Sequence, residues 1–176
     1  MNTSRDEQRF FNQVYASSFP VVFRVVLRIV GDQESAEEIC HDAFIKFFQH
    51  SRSLPDGDQA RYWVIRVAKN LAFNLAKRRG RERTAFERAF FEPQRPSRPA
   101  DSDTLESESQ VLIRQAVNRL PKTLRDVIVL KEYGDLPYTE IARVLGITVS
   151  NVKVRVYRAR ERLASMLEES DVHIPE

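Results

Sequence analysis

Apolar residues return every three or four positions along almost the whole chain. In the first thirty residues they fall at Phe10, Phe11, Val14, Tyr15, Phe19, Val22, Phe23, Val26, Leu27 and Val30. The step recurs at Ile39, Ala43, Phe44, Phe47 and Phe48, and again at Trp63, Val67, Leu71 and Leu75. This spacing gathers apolar side chains on one face of an α-helix and would scatter them on a strand. With only five glycines in 176 residues and few alternating stretches, little room is left for a sheet. The expected fold is all-α.

Punctuation residues divide the pattern. Pro20 predicts a kink or two abutting helices in the first segment, and Gly31 reads as its C-terminal cap. Ser35 with Glu38 three residues on forms a capping box for the next helix. Pro55-Asp56-Gly57-Asp58 marks a turn, and the helix that follows is expected to end in Lys77-Arg78-Arg79-Gly80-Arg81. Residues 84–104 contain Pro93, Pro96 and Pro99 among Ser, Arg and Asp, a composition that favours an extended linker. Phe86, Phe90 and Phe91 at its start either extend the first core or meet a partner. The reading is two small helical domains, 1–83 and 105–168, joined by the flexible linker 84–104 and followed by an acidic tail, 169–176.

The second domain carries the most specific pattern. A helix from Leu105 to Leu120 with an acidic start precedes Pro121, another helix covers Leu124–Tyr133, and Gly134-Asp135-Leu136-Pro137 turns the chain. Tyr138–Leu145, Gly146-Ile147-Thr148 and Val149–Leu167 then read as helix, tight turn, helix. Ala142 permits close packing and Gly146 supplies a positive φ. In the last helix Val152, Val156, Ala159 and Leu163 lie on one face, and Asn151, Arg155, Arg158 and Arg162 on another. One side is thereby buried and the other is offered to a polyanion, as in a recognition helix lying in the major groove. The duplex-contact set is Ser150, Asn151, Lys153, Val154, Arg155, Arg158 and Arg162. Residues near the helix start face bases, and later ones such as Arg160 and Arg162 face phosphate or solvent.

Charge supports a polyanionic partner. The net formal charge is only +3, yet residues 61–98 carry 11 Lys and Arg against 3 Asp and Glu, and residues 141–163 carry 6 against 1. The first basic run is interleaved with Tyr62, Trp63 and Phe73 and with Asn70 and Asn74. Cations beside aromatic rings suit opened or single-stranded nucleic acid. Trp63 begins the apolar stripe and reads as core, leaving Tyr62 as the surface aromatic.

Other chemistries find no footing. The one cysteine, Cys40, reads as a small core hydrophobe rather than a reactive thiol. His41, His50 and His173 are scattered, so no metal site is expected; no nucleophile–base set, carboxylate pair or Gly-rich phosphate loop suggests catalysis, a small-molecule substrate or a cofactor. No apolar run approaches the roughly 20 residues that span a bilayer, and Met1–Arg9 is unlike a signal peptide, so the protein is expected in the cytoplasm without membrane insertion.

The segments SAEEICHDAFIKFF from Ser35, ARYWVIRVAKNLAFNLAKRRGR from Ala60 and LPKTLRDVIVLKEYGDLPYTEIARVLGITVSNVKVRVYRARERL from Leu120 together resemble the bacterial extracytoplasmic-function sigma factors. The resemblance covers residues ~8–83 and ~105–167. It implies a subunit that binds core RNA polymerase and directs promoter-specific initiation and DNA melting in a stress or envelope-signal response. It implies that a helix like Ala36–Phe48 meets the clamp of the largest polymerase subunit through Glu37, Glu38, His41 and Asp42. The loop 52–61 and the helix after it would take the melted minus-ten strand through Asp56, Asp58, Gln59, Tyr62, Arg66, Lys69, Asn70, Asn74, Lys77 and Arg78. The C-terminal domain would read the minus-thirty-five element and rest on the second-largest subunit. An anti-sigma partner is a further implication. His41 stands where many members have Gln, and Val154 where many have Ser. Two other readings stand beside this one: a helix-turn-helix regulator acting without polymerase recruitment, and an RNA-binding adaptor.

Overall fold

A computed structural model of the chain describes residues 3–54, 56–90 and 107–168. The described residues form helices and turns without a strand. Helix α1 spans Thr3–Val30, α2 Gln33–His50 and α3 Gly57–Phe90, with a 3₁₀ turn at Ser51–Ser53 between α2 and α3. The second half comprises α4 (Glu108–Arg119), α5 (Lys122–Ile128), a π-helical turn at Val129–Tyr133, α6 (Tyr138–Leu145) and α7 (Val149–Glu168).

Helices α1, α2 and α3 form a three-helix unit. From α1, Val14, Val22, Val25, Val26 and Ile29 are each at most 1 % exposed, and Phe47 of α2 is fully buried. Full burial of such a side chain contributes about 1.5–3 kcal/mol, so this seam dominates the local energetics. Its outer end is a layer of rings: Phe11 stacks on Phe47 at 5.6 Å between centroids, and Tyr15 lies 5.1 Å from Phe19 and 4.6 Å from Phe44. Cys40 is buried as expected, and burial, with the charge of Glu37 adding to it, pushes its thiol up to about 12.

Several local expectations are corrected. The first segment runs as one helix through Pro20. Proline removes its own amide donor and crowds the carbonyl four residues back, yet the buried seam on both sides holds one helix together, so the alternative of two abutting helices is the one that fails. Although no uninterrupted apolar run reaches membrane length, Arg5–Val30 is long and apolar enough to cross a membrane by length and composition, its most apolar 18-residue window having a mean hydropathy of 1.3. Its apolar stripe is the one that forms the bundle core. At the start of α2 the cap is Asp32 rather than a Ser35–Glu38 box. The Asp32 carboxylate accepts the Ser35 amide at 2.9 Å, which places the helix start three residues earlier. Helix α3 does not stop at Gly80 but continues to Phe90, absorbing residues 84–90 of the expected linker. Gly80 meets no neighbour, and the surrounding Lys, Arg, Glu and Ala are good helix formers. The remaining expected linker, including Phe91, and the tail 169–176 lie outside the described residues.

The second half follows its sequence signals more closely. Ser107 caps α4, which starts at Glu108. Leu120 ends it in an extended conformation (φ −61°, ψ 147°), the geometry favoured before Pro121. The helix expected at Leu124–Tyr133 starts earlier, at Lys122, and loosens after Ile128 into the π turn, where the Gly134 amide bonds Val129 O at 3.1 Å. Gly146 adopts φ +67° and closes α6, with the Ile147 amide donating to Ala142 O at 3.0 Å.

Candidate nucleic-acid interface

The helix-turn-helix is built as its sequence implies. Ile141, Val152 and Ala159 are fully buried, with Val156 at 2 %, and they join α6 to α7. The Thr148 hydroxyl accepts the Asn151 amide at 3.2 Å and fixes the start of α7. Ser150, Asn151, Lys153, Val154, Arg158 and Arg162 are exposed, and Arg155 is half-buried. Burial of one stripe therefore turns the whole duplex-contact set outward. Tyr157, which the sequence reading passed over, is 64 % exposed beside Val154 at 48 % and adds apolar surface to this face. Arg160 is engaged locally, 2.7 Å from Glu132.

The polymerase-contact set is also brought together. Glu37, Glu38, His41 and Asp42 are all exposed on α2. Glu37 and His41 border a groove of about 430 Å³ lined by Phe11, Tyr15, Phe44 and Phe48. The result is an acidic strip beside an aromatic trough, with Phe48 itself 58 % exposed.

The set assigned to an opened strand is divided. Asp56 is used as the α3 cap, its Oδ1 accepting the Gln59 amide at 2.7 Å. Asp58, Gln59, Asn70, Asn74, Lys77 and Arg78 are exposed, with Arg78 in a loose pair with Glu82 at 3.7 Å. Arg66 is exposed overall, yet its Nε donates to the carbonyl of Val144 at 2.7 Å. Tyr62, expected on the surface, is 5 % exposed, and its hydroxyl accepts from Arg143 at 3.2 Å. Trp63, expected in the core, is half-buried and stacks on His50 at 5.4 Å. Lys69, expected to grip a phosphate, is 1 % exposed and lies 2.8 Å from Asp126 Oδ1. Burial lowers its pKa, and the Asp126 charge opposes that shift. Arg79 leaves the basic patch as well, bonding Asp32 at 2.7 Å and the Ser35 hydroxyl at 2.6 Å.

The departures at Tyr62, Arg66 and Lys69 share one cause: the second half docks against α3 and α1. Arg61 pairs with Glu140 at 2.5 Å. Arg125 of α5 lies 3.9 Å from the centre of the Phe73 ring. Arg24 of α1 donates to Gly134 O at 3.1 Å, and a Cβ at Gly134 would stand 3.2 Å from Val25. Asp126, Glu140 and Arg143 were missed because their partners lie across the linker, where spacing along the chain carries no signal. Among the described residues no cluster of three or more His, Cys, Asp or Glu is placed to hold a metal ion.

Comparison with known proteins matches this arrangement. Residues 14–82 match sigma-70 region 2, and residues 110–163 match sigma-70 region 4. The chain is 30 % identical over 173 residues to the RNA polymerase sigma-H factor of Pseudomonas aeruginosa, covering 93 % of this chain and 89 % of that one. It is 31 % identical over 169 residues to the ECF RNA polymerase sigma-E factor of Escherichia coli K12, covering 90 % and 87 %. Among solved structures, the sigma factor RpoE in complex with the anti-sigma factor NepR from Bartonella quintana shares the fold. Its TM-score is 0.57 at 23 % identity, over 90 % of this chain and 96 % of that one. The chain belongs to the extracytoplasmic-function RNA polymerase sigma factors. Its work is that of the family: it binds core RNA polymerase and directs promoter-specific initiation of transcription.

Proposed function

We propose that this sigma factor divides promoter recognition between α7 and α3. The exposed Asn151, Lys153, Val154, Arg158 and Arg162, with the half-buried Arg155 among them, read the duplex minus-thirty-five element, where Asn and Arg suit adenine and guanine edges. The face of α3 bearing Tyr62, Arg66, Lys69, Asn70, Asn74, Lys77 and Arg78 takes the melted minus-ten strand, with Asp58 and Gln59 beside an extruded base. Glu37, Glu38, His41 and Asp42, with the aromatic trough next to them, dock on the polymerase.

The protein contributes binding energy and no chemistry of its own, and it works in the cytoplasm beside the polymerase. Two modest DNA contacts become effective because the polymerase holds both halves at a fixed distance. The structural relative crystallised with an anti-sigma factor supports a partner of that kind for this chain too. The observation that carries the division of labour is the outward-facing Asn/Arg stripe on α7, paired with a second, aromatic-rich basic helix in the other half. The test is run-off transcription with purified core polymerase and a promoter library. Promoter-dependent transcripts are expected, with permanganate-reactive thymines near minus ten; failure to bind core polymerase or to initiate would overturn the reading.

A further inference from the structure

The outward face of α7 has an apolar centre. The buried Val152, Val156 and Ala159 define the inner side of the helix. At about 100° per residue, Val154 stands almost diametrically opposite them, about 200° around from Val152 and about 160° from Val156. Val154 is 48 % exposed, and Tyr157, one turn further on, is 64 % exposed. Around this centre the face is polar. Asn151 and Arg158 lie about 40–60° to one side of Val154 and Ser150 about 40° to the other, and all of them are exposed. The Tyr157 hydroxyl is hydrogen-bonded to the Glu161 carboxylate, which anchors the far end of its ring to the helix.

Packing within the chain does not account for a valine at this position. A β-branched side chain is a weaker helix former than alanine, and one so exposed adds little to the core. What the position does have is a place in the groove-facing geometry. The Thr148 hydroxyl caps α7 at the Asn151 amide, so Val154 falls in the second turn, among the residues near the helix start that meet base edges when a recognition helix docks. Major-groove edges present hydrogen-bond acceptors and donors, which a valine would strip of water without answering. The one apolar feature among them is the C5-methyl group of thymine.

We propose that Val154 is a specificity residue that reads the C5-methyl group of a thymine in the duplex element, with Tyr157 extending the apolar surface and Asn151 and Arg158 taking neighbouring adenine or guanine edges. This rests on α7 being the duplex-reading helix. A methyl group placed over Val154 shields it from water, whereas a pyrimidine without one leaves the apolar centre facing solvent in the groove. Burial of one such group corresponds to about fourfold in affinity. The upstream element recognised by this chain accordingly includes an A·T pair at the position beneath Val154.

The test uses holoenzyme assembled from the full chain and core polymerase, on a promoter duplex selected from a random library. Each thymine of the minus-thirty-five window, on either strand, is replaced in turn by deoxyuridine, which removes the methyl group and keeps every hydrogen-bonding group. At one position the wild-type holoenzyme should lose about fourfold in affinity, and holoenzyme carrying Val154→Ala should lose nothing. Because Val154 is exposed, that variant keeps the fold. At the same position, 5-methylcytosine opposite guanine should bind about fourfold better than cytosine with the wild type and no better with Val154→Ala, which separates the methyl group from the O4 of thymine. If no thymine responds to deoxyuridine, or if Val154→Ala responds as the wild type does, the methyl reading is overturned. The underlying assignment fails in a different way: if scrambling the whole minus-thirty-five window leaves holoenzyme binding unchanged, α7 is not the duplex reader.

Discussion

The guanidinium of Arg114 occupies the space in which a side chain at Gly31 would begin: a Cβ built on Gly31 would stand 1.9 Å from Arg114 Nη1. Gly31 also adopts φ +85°, so two separate constraints meet at one residue between α1 and α4. Gly146, by contrast, has φ +67° and nothing within 4 Å of its would-be Cβ. Gly146→Ala should therefore cost only the left-handed backbone penalty, about 1–2 kcal/mol. Gly31→Ala should cost more, because Arg114 must also move. Urea denaturation checks the order, and pairing Gly31→Ala with Arg114→Ala should recover only the excess over Gly146→Ala.

Asp32 gives a pH signature. Burial tends to raise its pKa, but hydrogen bonds from Ser35 and Arg79 outweigh it and hold the carboxyl below its ordinary 3.8. A depressed carboxyl contributes stability that is complete above about pH 4 and fades as pH falls through the folded-state value. Asp32→Asn keeps a capping oxygen and loses the charge pair with Arg79. It should be less stable than wild type by roughly 0.5–1 kcal/mol at pH 7, with the gap closing in acid. A gap independent of pH in thermal melts would contradict this assignment.

Phe47 is fully exposed to its neighbours and not at all to water, stacked on Phe11 at 5.6 Å and tilted against Phe10 at 6.0 Å. Phe47→Ala should cost about 3–5 kcal/mol through lost burial and the cavity left behind. Phe48→Ala, 58 % exposed on the same helix, should cost far less stability and instead weaken polymerase binding. Chemical melts paired with a core-polymerase binding assay separate the two effects.

On α7, contacts with bases and with phosphates should differ in kind. Arg158→Ala should lose about 1–3 kcal/mol on the best promoter and little on mismatched ones, whereas Lys153→Ala should weaken all sequences alike. Competition binding across promoter variants, with salt concentration varied, distinguishes them. In holoenzyme, Tyr62→Ala should spare duplex binding and reduce permanganate reactivity of the opened strand.

Periodicity alone carries the all-helical architecture and the helix-turn-helix, because buried stripes such as Val152, Val156 and Ala159 are local facts of one helix. Local signals also place the Gly31 and Gly146 turns. What they misplace is α3. Tyr62, Arg66, Lys69 and Phe73 recur by four, three and four, a polar and aromatic stripe that reads as solvent-facing until another surface covers it. That surface comes from Asp126, Glu140 and Arg143, beyond the linker, and charge complementarity at such separation leaves no trace in spacing. The extent of α3 was hidden for a different reason. Gly80 weakens a helix by about 1 kcal/mol without ending it when neighbours on both sides favour the helix.

The chain has a single sulfhydryl, and Cys40 is 2 % exposed with its pKa pushed up to about 12. At neutral pH the group stays in the thiol form, and the thiolate is what oxidants and electrophiles attack. Cys40 is thus chemically silent, and an oxidising or alkylating stress cannot be written onto this subunit through it. The position serves the bundle of α1, α2 and α3 as packing volume, and its sulfur carries no signal of its own.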